Sequence, residues 1–463
     1  MAAAAPGPTV ASQPTAGLRP RRSLGARLAA LTPSGQARVP AAWALYDLAN
    51  TIYSYAIVSY AIGLWTVDRL GPGDGQFWVG VANAVSVGIN ALVSPVLGAM
   101  SDRDGRRLPY LLFFTAQCII ATAAIGLVPA GAPPLAFLGL VLFAVANFSY
   151  QAALIYYDAS LPTVSRPESR GRVSGIGVAV GYVGTLIVGL TIAILQALDV
   201  LGSGSAALVF FIVAVLFGLF AIPIFVIVHE RRTSDYRFRL ADVLASWSQL
   251  ATTLRDARQV PGLLRFLVGR FFYTDPVNTV IVVMAVFATE AIGLTDFQAN
   301  LVLLVLTVVA VGASFGWGLL VERVGPKRTL LAVLGSWCLG LVIAGSVLSV
   351  PTFVGGGLLL GAGLGGVWTS DRVFMLRLSP ADKVGEFFGL YGLAGKFSAV
   401  TGPVLYGLIV KTLLDAGWGN AAYQVGIFSF LGLMVVGVAL LRGVPEPPRE
   451  RGAEGGVAQT AVR

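Results

Sequence analysis

The chain has 463 residues, of which 56% are hydrophobic and only 12% are charged. This composition excludes an ordinary soluble domain and predicts an integral membrane protein, because a water-facing surface needs far more charge. The formal net charge of +9 comes from basic residues scattered over short segments. That scatter argues against nucleic acid as a partner and favours membrane lipid.

Residues 1–40 are rich in Ala, Pro, Ser and Arg without periodicity, which predicts a disordered cytoplasmic tail. About twelve apolar stretches of membrane-spanning length follow, and none alternates in polarity as barrel strands do. The prediction is therefore an all-α integral membrane protein with about twelve transmembrane helices. The stretches lie at 41–66, 76–100, 108–130, 134–157, 173–197, 206–228, 264–289, 297–320, 328–350, 353–371, 386–411 and 421–442.

The longest interruption of this pattern separates the first six stretches from the last six. It predicts an N-terminal half at 41–228, a cytoplasmic linker at 229–262, a C-terminal half at 263–442 and a second disordered tail at 443–463. Apolar residues recur at helical spacing in the linker, at Leu240, Val243, Leu244, Trp247, Leu250 and Leu254. The amphipathic helix that they predict either lies at the membrane interface or packs on the bundle as a soluble linker.

Lys and Arg are concentrated in alternate loops, which predicts the orientation of the chain in the membrane. These loops contain Arg103, Arg106, Arg107, Arg166, Arg170, Arg172, Arg323, Lys327, Arg328, Arg372, Arg377 and Lys383. The intervening loops contain little more than Arg69. Because both tails fall on the basic side, both termini are predicted to be cytoplasmic.

Three short motifs recur in the same order in the two halves. The first stretch contains D-L-A-N-T from Asp47, and the seventh contains D-P-V-N-T from Asp275. The second and eighth stretches end in Gly, three residues, an acid, Arg, one residue and Gly, beginning at Gly98 and Gly318. The third repeat matches Gly171, Gly175 and Gly181 with Gly385, Gly389 and Gly395. The repeats predict two pseudo-symmetric six-helix halves, related by an axis along the membrane normal.

Asp47 and Asp275 are equivalent acids in apolar stretches, where a carboxylate costs up to about 2.5–3.5 kcal/mol. Two interpretations are open: the acids line a path for solute or coupling ion, or they tie their helix to a neighbour. The other candidate path residues are Asn50, Tyr53, Asn278, Trp368, Tyr391 and Lys396. Lys396 can alternatively snorkel to the interface, and the two tyrosines can serve in packing alone.

GAMSDRDGRR at 98–107 resembles the signature loop of the major facilitator superfamily, and ERVGPKR at 322–328 resembles its degenerate second copy. The resemblance implies the major facilitator fold and a cytoplasmic gate whose charged residues pair with neighbouring helix ends. The implied gate residues are Asp102, Arg103, Arg106, Glu322, Arg323 and Arg328. Arg107 and Lys327 are expected to serve membrane orientation only.

A narrower resemblance joins WALYDLANTIY, FFYTDPVNTV, GGVWTSDRVFMLRLSP and EFFGLYGLAGKFSAVTGP to the vacuole effluxer family. It extends over nearly the whole chain outside the tails. Fungal members release amino acids from the vacuole, so the resemblance implies an amino-acid-like solute and, for a bacterial-type member, the plasma membrane as location. The chain departs from the family pattern at Asp158, Pro276, Trp368, Asp371 and Gly392. Because amides are lost and acids gained there, an amino-acid solute does not follow from the resemblance alone.

Together these patterns predict a secondary active transporter that moves a small polar solute by alternating access, with proton coupling. The chain is expected to work as a monomer, without cofactor or metal. Enzymatic activity is not expected, since the chain lacks a nucleotide-binding loop and a nucleophile with a histidine base. A non-transporting membrane receptor or scaffold of the same fold is the alternative.

Overall fold

The structure is a computed structural model that describes residues 38–129, 133–197, 206–230 and 254–446. Most of the tail predicted at 1–40 lies outside these residues, as do most of the tail predicted at 443–463 and the linker positions from Leu240 to Leu250. In the described part of the linker, residues 254–259 are helical.

Twelve long helices form in the described residues, at the positions of the twelve predicted apolar stretches. α1 covers 38–70 and α7 covers 263–291. The other ten are α2 (Pro72–Asp104), α3 (Leu108–Gly126), α4 (Pro133–Ala159), α5 (Arg170–Ala197), α6 (Ala206–Ile227), α8 (Asp296–Val324), α9 (Pro326–Ser346), α10 (Val350–Leu378), α11 (Val384–Asp415) and α12 (Ala421–Arg442). Each of these ten is long and apolar enough to cross a membrane.

The leading helix of each half, α1 or α7, contains a π-helical segment. In α1, Arg38–Tyr53 continues through the π-helical Ser54–Ala61 into Ile62–Leu70. In α7, Leu263–Val286 continues into the π-helical Phe287–Ala291. π-helical turns are rare and frequently occur at functional sites. Their presence in both leading helices agrees with the internal repeat.

The bundle has an apolar exterior and polar groups inside. Ile120, Val215 and Val404 are 68%, 67% and 67% exposed, respectively. Asn90 and Thr274, by contrast, are fully buried. A helical bundle in lipid has this distribution, because hydrocarbon offers no hydrogen bonds to polar groups.

Helix packing repeats between the two halves. In the N-terminal half α3 packs on α4 and α6, and α2 packs on α4; in the C-terminal half α9 packs on α10 and α12, and α8 packs on α10. The halves meet along two seams, one between α2 and α11 and the other between α5 and α8. In the internal repeat α2 corresponds to α8 and α5 corresponds to α11, so the seam between α2 and α11 is equivalent to the seam between α8 and α5. The predicted pseudo-symmetry of two six-helix halves is therefore present in the structure.

Both seams are tight on the side where α2 ends and α11 begins, here called the basic side. A β-carbon added at Gly171 of α5 would lie 2.7 Å from the carbonyl oxygen of Gly318 of α8, and Gly385 of α11 is equally close to α2. Glycine permits this approach because it has no side chain. Farther along the same helices, nothing lies within 4 Å of a β-carbon added at Gly88 of α2 or at Gly407 of α11. The halves therefore touch on the basic side and diverge toward the other.

Candidate functional site

Arg372 of α10 joins the two halves through acids of α4 and α1. Its Nε lies 3.0 Å from Asp158 Oδ1, and its Nη1 lies 3.8 Å from Asp47 Oδ2. The arginine is 8% exposed, and a charge buried to this extent needs such partners. Asp158 and Arg372 stand 13 residues before Gly171 and Gly385, respectively. Asp158 and Arg372 are thus at equivalent positions in the two halves, and they form an ion pair between the halves.

Arg372 also lies beside two stacked aromatic rings of the N-terminal half. Its Cζ is 5.2 Å from the ring centre of Trp43 and 5.4 Å from that of Tyr157. The two rings stack on each other with centres 4.4 Å apart, and the Trp43 indole N–H donates to Ser160 Oγ at 3.1 Å. Cation–π attraction adds to the ion pairs and fixes the guanidinium between the two halves.

A second charged group lies within the C-terminal half. Arg270 Nε of α7 is 3.3 Å from Asp371 Oδ2 of α10, and the Tyr391 hydroxyl of α11 donates to Asp371 Oδ1 at 2.9 Å. The Arg270 Cζ lies 3.6 Å from the centre of the Tyr391 ring and 5.9 Å from that of Trp368. Asp371 is fully buried, so its charge depends on these partners.

Lys396 of α11 reaches across the seam between α11 and α2. Its ammonium donates to Asn90 Oδ1 and, at 3.0 Å, to Ser94 Oγ. The Asn90 amide is itself held by a 3.0 Å bond from its Nδ2 to the Phe148 carbonyl of α4. No acid of the described residues forms an ion pair with Lys396. A partly buried lysine with neutral partners is suited to an anionic group of a solute.

The charges lie at two depths, judged at about 1.5 Å of rise per helical residue. Arg372 is six residues from the basic end of α10 at Leu378, roughly 9 Å inside. Lys396 is twelve residues from the start of α11 at Val384, roughly 18 Å inside. The described group of three acids and three cations is electrically balanced: Asp47, Asp158 and Asp371 against Arg270, Arg372 and Lys396. A small charged or zwitterionic solute can bind in such a group when one of its charged groups replaces a residue of an internal ion pair.

The structure corrects the sequence analysis on the arginines. Arg372 was assigned to a basic loop, but it lies inside α10 and is buried by its pairs with Asp47 and Asp158. Arg270 was not identified as a site residue at all. One signal was present: Arg270 interrupts an apolar stretch, and Arg372, which directly follows an acid, is followed by four more apolar residues at 373–376.

Asp47 and Asp275 do not look into one common space, although they occupy equivalent helices. Asp47 faces Arg372 of the other half. Asp275 is 3% exposed and lies against Gly402 of α11, within its own half. The difference arises because only the N-terminal acid has a buried cation opposite it.

The remaining candidate path residues, Asn278, Tyr53 and Asn50, have different surroundings. Asn278 donates to Ser398 Oγ of α11 at 3.4 Å, near Asp275. Tyr53 is fully buried among aromatic residues, with its ring centre 4.8 Å from that of Tyr150. Asn50 is 2% exposed, and its amide atoms have no hydrogen-bond partner among the described residues. The structure therefore does not bring Tyr53 to the charged group; its ring packs inside the N-terminal half.

Asp102, in the last turn of α2, caps the first turn of α11. Its Oδ1 accepts from the Gly385 N–H at 2.9 Å, and its Oδ2 accepts from the Glu386 N–H at 2.8 Å. A carboxylate is favoured there by the free N–H groups and the positive end of the helix dipole. Arg107 Nη2 lies 3.1 Å from Asp102 Oδ1 and shares the charge.

Glu322 forms the equivalent cap at the other seam. It accepts from the Arg172 N–H at 3.1 Å, and it pairs with Arg172 Nη2 at 2.8 Å. The motif glycines end the two helices that carry these acids: Gly105 follows α2 with φ 69° and Gly325 follows α8 with φ 97°. Residues with side chains rarely adopt such angles. The repeat thus places an acid on the facing helix N-terminus at both seams.

The basic members of the proposed gate have different contacts. Arg106 pairs with Asp104 of its own loop at 3.2 Å, Arg323 follows Glu322 in the last turn of α8, and neither Arg103 nor Arg328 forms an ion pair among the described residues. The expectation for Arg107 and Lys327 was wrong. Arg107 pairs with Asp102, and Lys327 Nζ donates to the Arg442 and Val444 carbonyls at 2.9 and 2.6 Å.

The linker is attached to the same side of the bundle. Lys383, just before α11, donates to Asp256 Oδ2 at 2.5 Å. The hydrogen bond that its ammonium donates to this carboxylate raises the pKa of Lys383 above its ordinary value. Glu230 accepts from the Arg107 and Leu108 N–H groups at 2.7 and 2.8 Å and so caps α3.

Replacement of Tyr391 by Phe tests the C-terminal charged group. The variant keeps the ring over Arg270 but removes a donor from a fully buried carboxylate, at a cost of about 1–3 kcal/mol. We expect a lower apparent melting temperature of the purified protein in detergent. The control is Tyr406→Phe on the same helix, because the Tyr406 hydroxyl has no hydrogen-bond partner among the described residues. Equal melting temperatures for the two variants would contradict the role given to Tyr391.

Comparison with solved structures identifies the fold. The proton:xylose symporter XylE, bound to 6-bromo-6-deoxy-D-glucose, gives a TM-score of 0.67 with 12% sequence identity, over 89% of this chain and 95% of that chain. A bacterial homologue of the iron transporter ferroportin in its outward-facing state gives 0.66 with 15% identity, over 89% and 99%. The predicted major facilitator fold is confirmed, and the protein is a multi-pass membrane protein of this class.

Sequence comparison identifies the family. Residues 78–453 match the family described as vacuole effluxer Atg22 like. The uncharacterized MFS-type transporter YxiO of Bacillus subtilis (strain 168) is 28% identical over 87% of this chain and 94% of its own length. Autophagy-related protein 22-2 of Aspergillus clavatus is 24% identical over 51% of this chain and 43% of its own length, so the chain spans less than half of that fungal relative. The chain belongs to the vacuole effluxer Atg22-like family of major facilitator transporters.

Proposed function

We propose that the protein is a secondary active transporter that moves a small polar solute by alternating access of its two halves. The observation that carries this proposal is the set of contacts between halves. On the basic side, Arg372 pairs with Asp47 and Asp158, and Asp102 and Glu322 cap helices of the opposite half. All of these are polar contacts that can open and close, whereas a permanent interface would be expected to be more apolar.

We place the solute above the Arg372 ion pairs, near the depth of Lys396. The ammonium of Lys396 has only neutral partners, Asn90 and Ser94, so it can receive a carboxylate. Asp47 and Asp158 share a single guanidinium, so their side of the group can receive an amino group. An amino-acid-like solute satisfies both requirements, and it agrees with the solute class that the resemblance to the vacuole effluxer family implies.

The basic side is proposed to face the cytoplasm of a bacterium, with the chain in the plasma membrane and both termini inside. Under this orientation the described conformation is closed to the cytoplasm, because both seams are tight on the basic side. The chain is proposed to act as a monomer surrounded by lipid, since each half contributes helices to both seams. A proton gradient is the proposed driving force, with Asp47 or Asp275 as the exchanging acid.

Transport in proteoliposomes tests the proposed function. Purified protein is reconstituted and screened for uptake of labelled amino acids, small peptides, sugars and organic ions with an imposed proton gradient. We expect saturable uptake of one class, which collapses when the gradient is removed. Asp47→Asn and Asp275→Asn together are expected to abolish the gradient-driven part. If both leave it unchanged, proton coupling through these acids is excluded.

The same assay separates the transporter from the alternative of a receptor or scaffold. A receptor would be stabilised against thermal unfolding by its solute but would show no flux. A transporter of this fold shows both. Stabilisation without flux in the proteoliposome screen would overturn the proposal.

A further inference from the structure

Asp275 differs from the other buried acids described because it has no cationic partner. It is 3% exposed, in the middle of α7, and no ion pair to it occurs among the described residues. Asp47, Asp158 and Asp371, by contrast, each pair with an arginine. The central charged group is balanced without Asp275, so this acid adds an uncompensated charge.

A second unpartnered oxygen lies beside it. Thr279, one helical turn further along α7, is fully buried. Its Oγ1 and the Oδ1 of Asp275 are buried without a hydrogen-bond partner among the described residues. Both oxygens point at Gly402 of α11 and fill the space that a β-carbon there would need. They are therefore neighbours, directed at the same place.

The groups that surround these oxygens carry no charge that could neutralise Asp275. From α11, the Thr401 side chain and the Gly402 backbone lie against the carboxyl group as neutral hydrogen-bonding groups. Arg270 on α7 is engaged by Asp371, and Lys396 on α11 is held at α2 by Asn90. Tyr273 of α7 lies against Gly437 of α12. An unpaired carboxylate at this depth is costly, and a bound cation removes that cost.

We propose that Asp275 and Thr279 form a site for one monovalent cation, a proton or a sodium ion, separate from the solute site. A carboxylate and a hydroxyl oxygen are hard ligands that suit either ion. This inference rests on the proposed transport function and deepens it, because it assigns the coupling cation to Asp275 and not to Asp47.

The position of the site suggests how the cation would act on transport. Asp275 lies against α11, the helix that also forms the tight seam with α2 through Gly385 and Gly389. Neutralising the acid removes a charge from the contact between α7 and α11. That change alters the free energy of moving α11, and hence of opening the seam, which is what coupling requires.

Cation binding can be measured on the purified full chain without knowledge of the solute. Apparent melting temperatures are recorded in sodium chloride and in choline chloride at equal ionic strength, over a series of pH values. Infrared difference spectra in the carbonyl-stretch region of protonated carboxyl groups are recorded in parallel. We expect Asp275→Asn to abolish either a sodium-dependent rise in melting temperature or a pH-dependent carboxyl band.

Two outcomes support the site and identify its ion. A sodium effect that Asp275→Asn removes indicates sodium, and a carboxyl band lost in the same variant without a sodium effect indicates a proton. The control is Asp415→Asn, which alters an exposed acid paired with Lys411 at the end of α11; it should leave both readouts unchanged. If Asp275→Asn retains every sodium- and pH-dependent signal of the unmodified protein, the proposal is overturned.

Further variants keep the test decisive if Asp275→Asn does not fold. Thr279→Val removes the second oxygen at nearly constant volume, and Gly402→Ala places a methyl group in the site. Both should weaken the cation signal, whereas Thr279→Ser should retain it. Because these readouts need no solute, absence of uptake by the unmodified protein would refute transport and leave the cation site standing. Uptake that stays fully gradient-driven in Asp275→Asn would overturn the site's coupling role only.

Discussion

Replacement of Arg372 by Gln is expected to abolish gradient-driven uptake and to lower the apparent melting temperature. In the unmodified protein the largely buried carboxylates of Asp47 and Asp158 lie 3.8 and 3.0 Å from the guanidinium, and the variant leaves them without this shared cation. Breaking a buried pair in this way costs about 3–5 kcal/mol. It also removes an ionic link between the halves. The conformation that is closed on the basic side should therefore be destabilised relative to the open conformation. The measurements are uptake in proteoliposomes and thermal unfolding in detergent.

Two comparison variants distinguish this effect from a general loss of charge. Lys411→Gln removes a cation from an exposed pair with Asp415, which should change neither readout. In the double variant Arg372→Gln with Asp158→Asn, one uncompensated acid is neutralised. The apparent melting temperature should therefore rise part of the way back to that of the unmodified protein, while uptake should remain abolished. If Arg372→Gln alone matched Lys411→Gln in both assays, the ion pairs would have no role in closing the bundle.

Replacement of Gly389 by Val is expected to prevent closure of the seam between α2 and α11. A β-carbon at Gly389 would lie 2.6 Å from the Pro95 α-carbon, and backbone cannot move aside as a flexible side chain can. Overpacking of this kind costs about 1–3 kcal/mol, which corresponds to a roughly 5- to 150-fold loss of the closed conformation relative to the open one. Uptake should fall, and the basic side should become accessible.

Accessibility is measured by labelling a single cysteine with a membrane-impermeant maleimide. Ser101→Cys, in a chain without Cys118 and Cys338, places the thiol at a fully buried position of α2 beside Gly385. Labelling should rise when Gly389→Val is added. Gly407→Val on the same helix is the control, because nothing lies within 4 Å of a β-carbon there. Equal labelling in the two valine variants would show that the glycine contact does not close the seam.

Local features of the sequence were sufficient to predict the fold. The twelve apolar stretches predicted the twelve transmembrane helices, and the three repeated motifs predicted that the two halves are related by pseudo-symmetry. The two gate acids were also predictable, because Asp102 and Glu322 stand at fixed distances before the glycines that end α2 and α8. These are short-range relations along one helix, so they survive without knowledge of the neighbours.

The partners of the buried charges could not be predicted in the same way. The sequence pattern did not single out Arg270, and it placed Arg372 in a loop. Their acidic partners become apparent only when the helices are packed together. In lipid both the outer face of a helix and its packed face are apolar, so the pattern does not reveal which side points inward. Tyr53 was placed on the path for this reason, whereas its ring packs against Tyr150 and Phe217 inside the N-terminal half.

The sequence by itself determined the number and order of the helices, the duplication and the acids at the ends of α2 and α8, because each depends on residues close together in the chain. Only the tertiary structure decided that Asp47 meets a cation and Asp275 does not. Their motifs are nearly identical, but the charge opposite each acid comes from a helix far away in sequence. The ionic state of a buried carboxylate depends on that opposite charge and on burial, and neither is encoded in the motif.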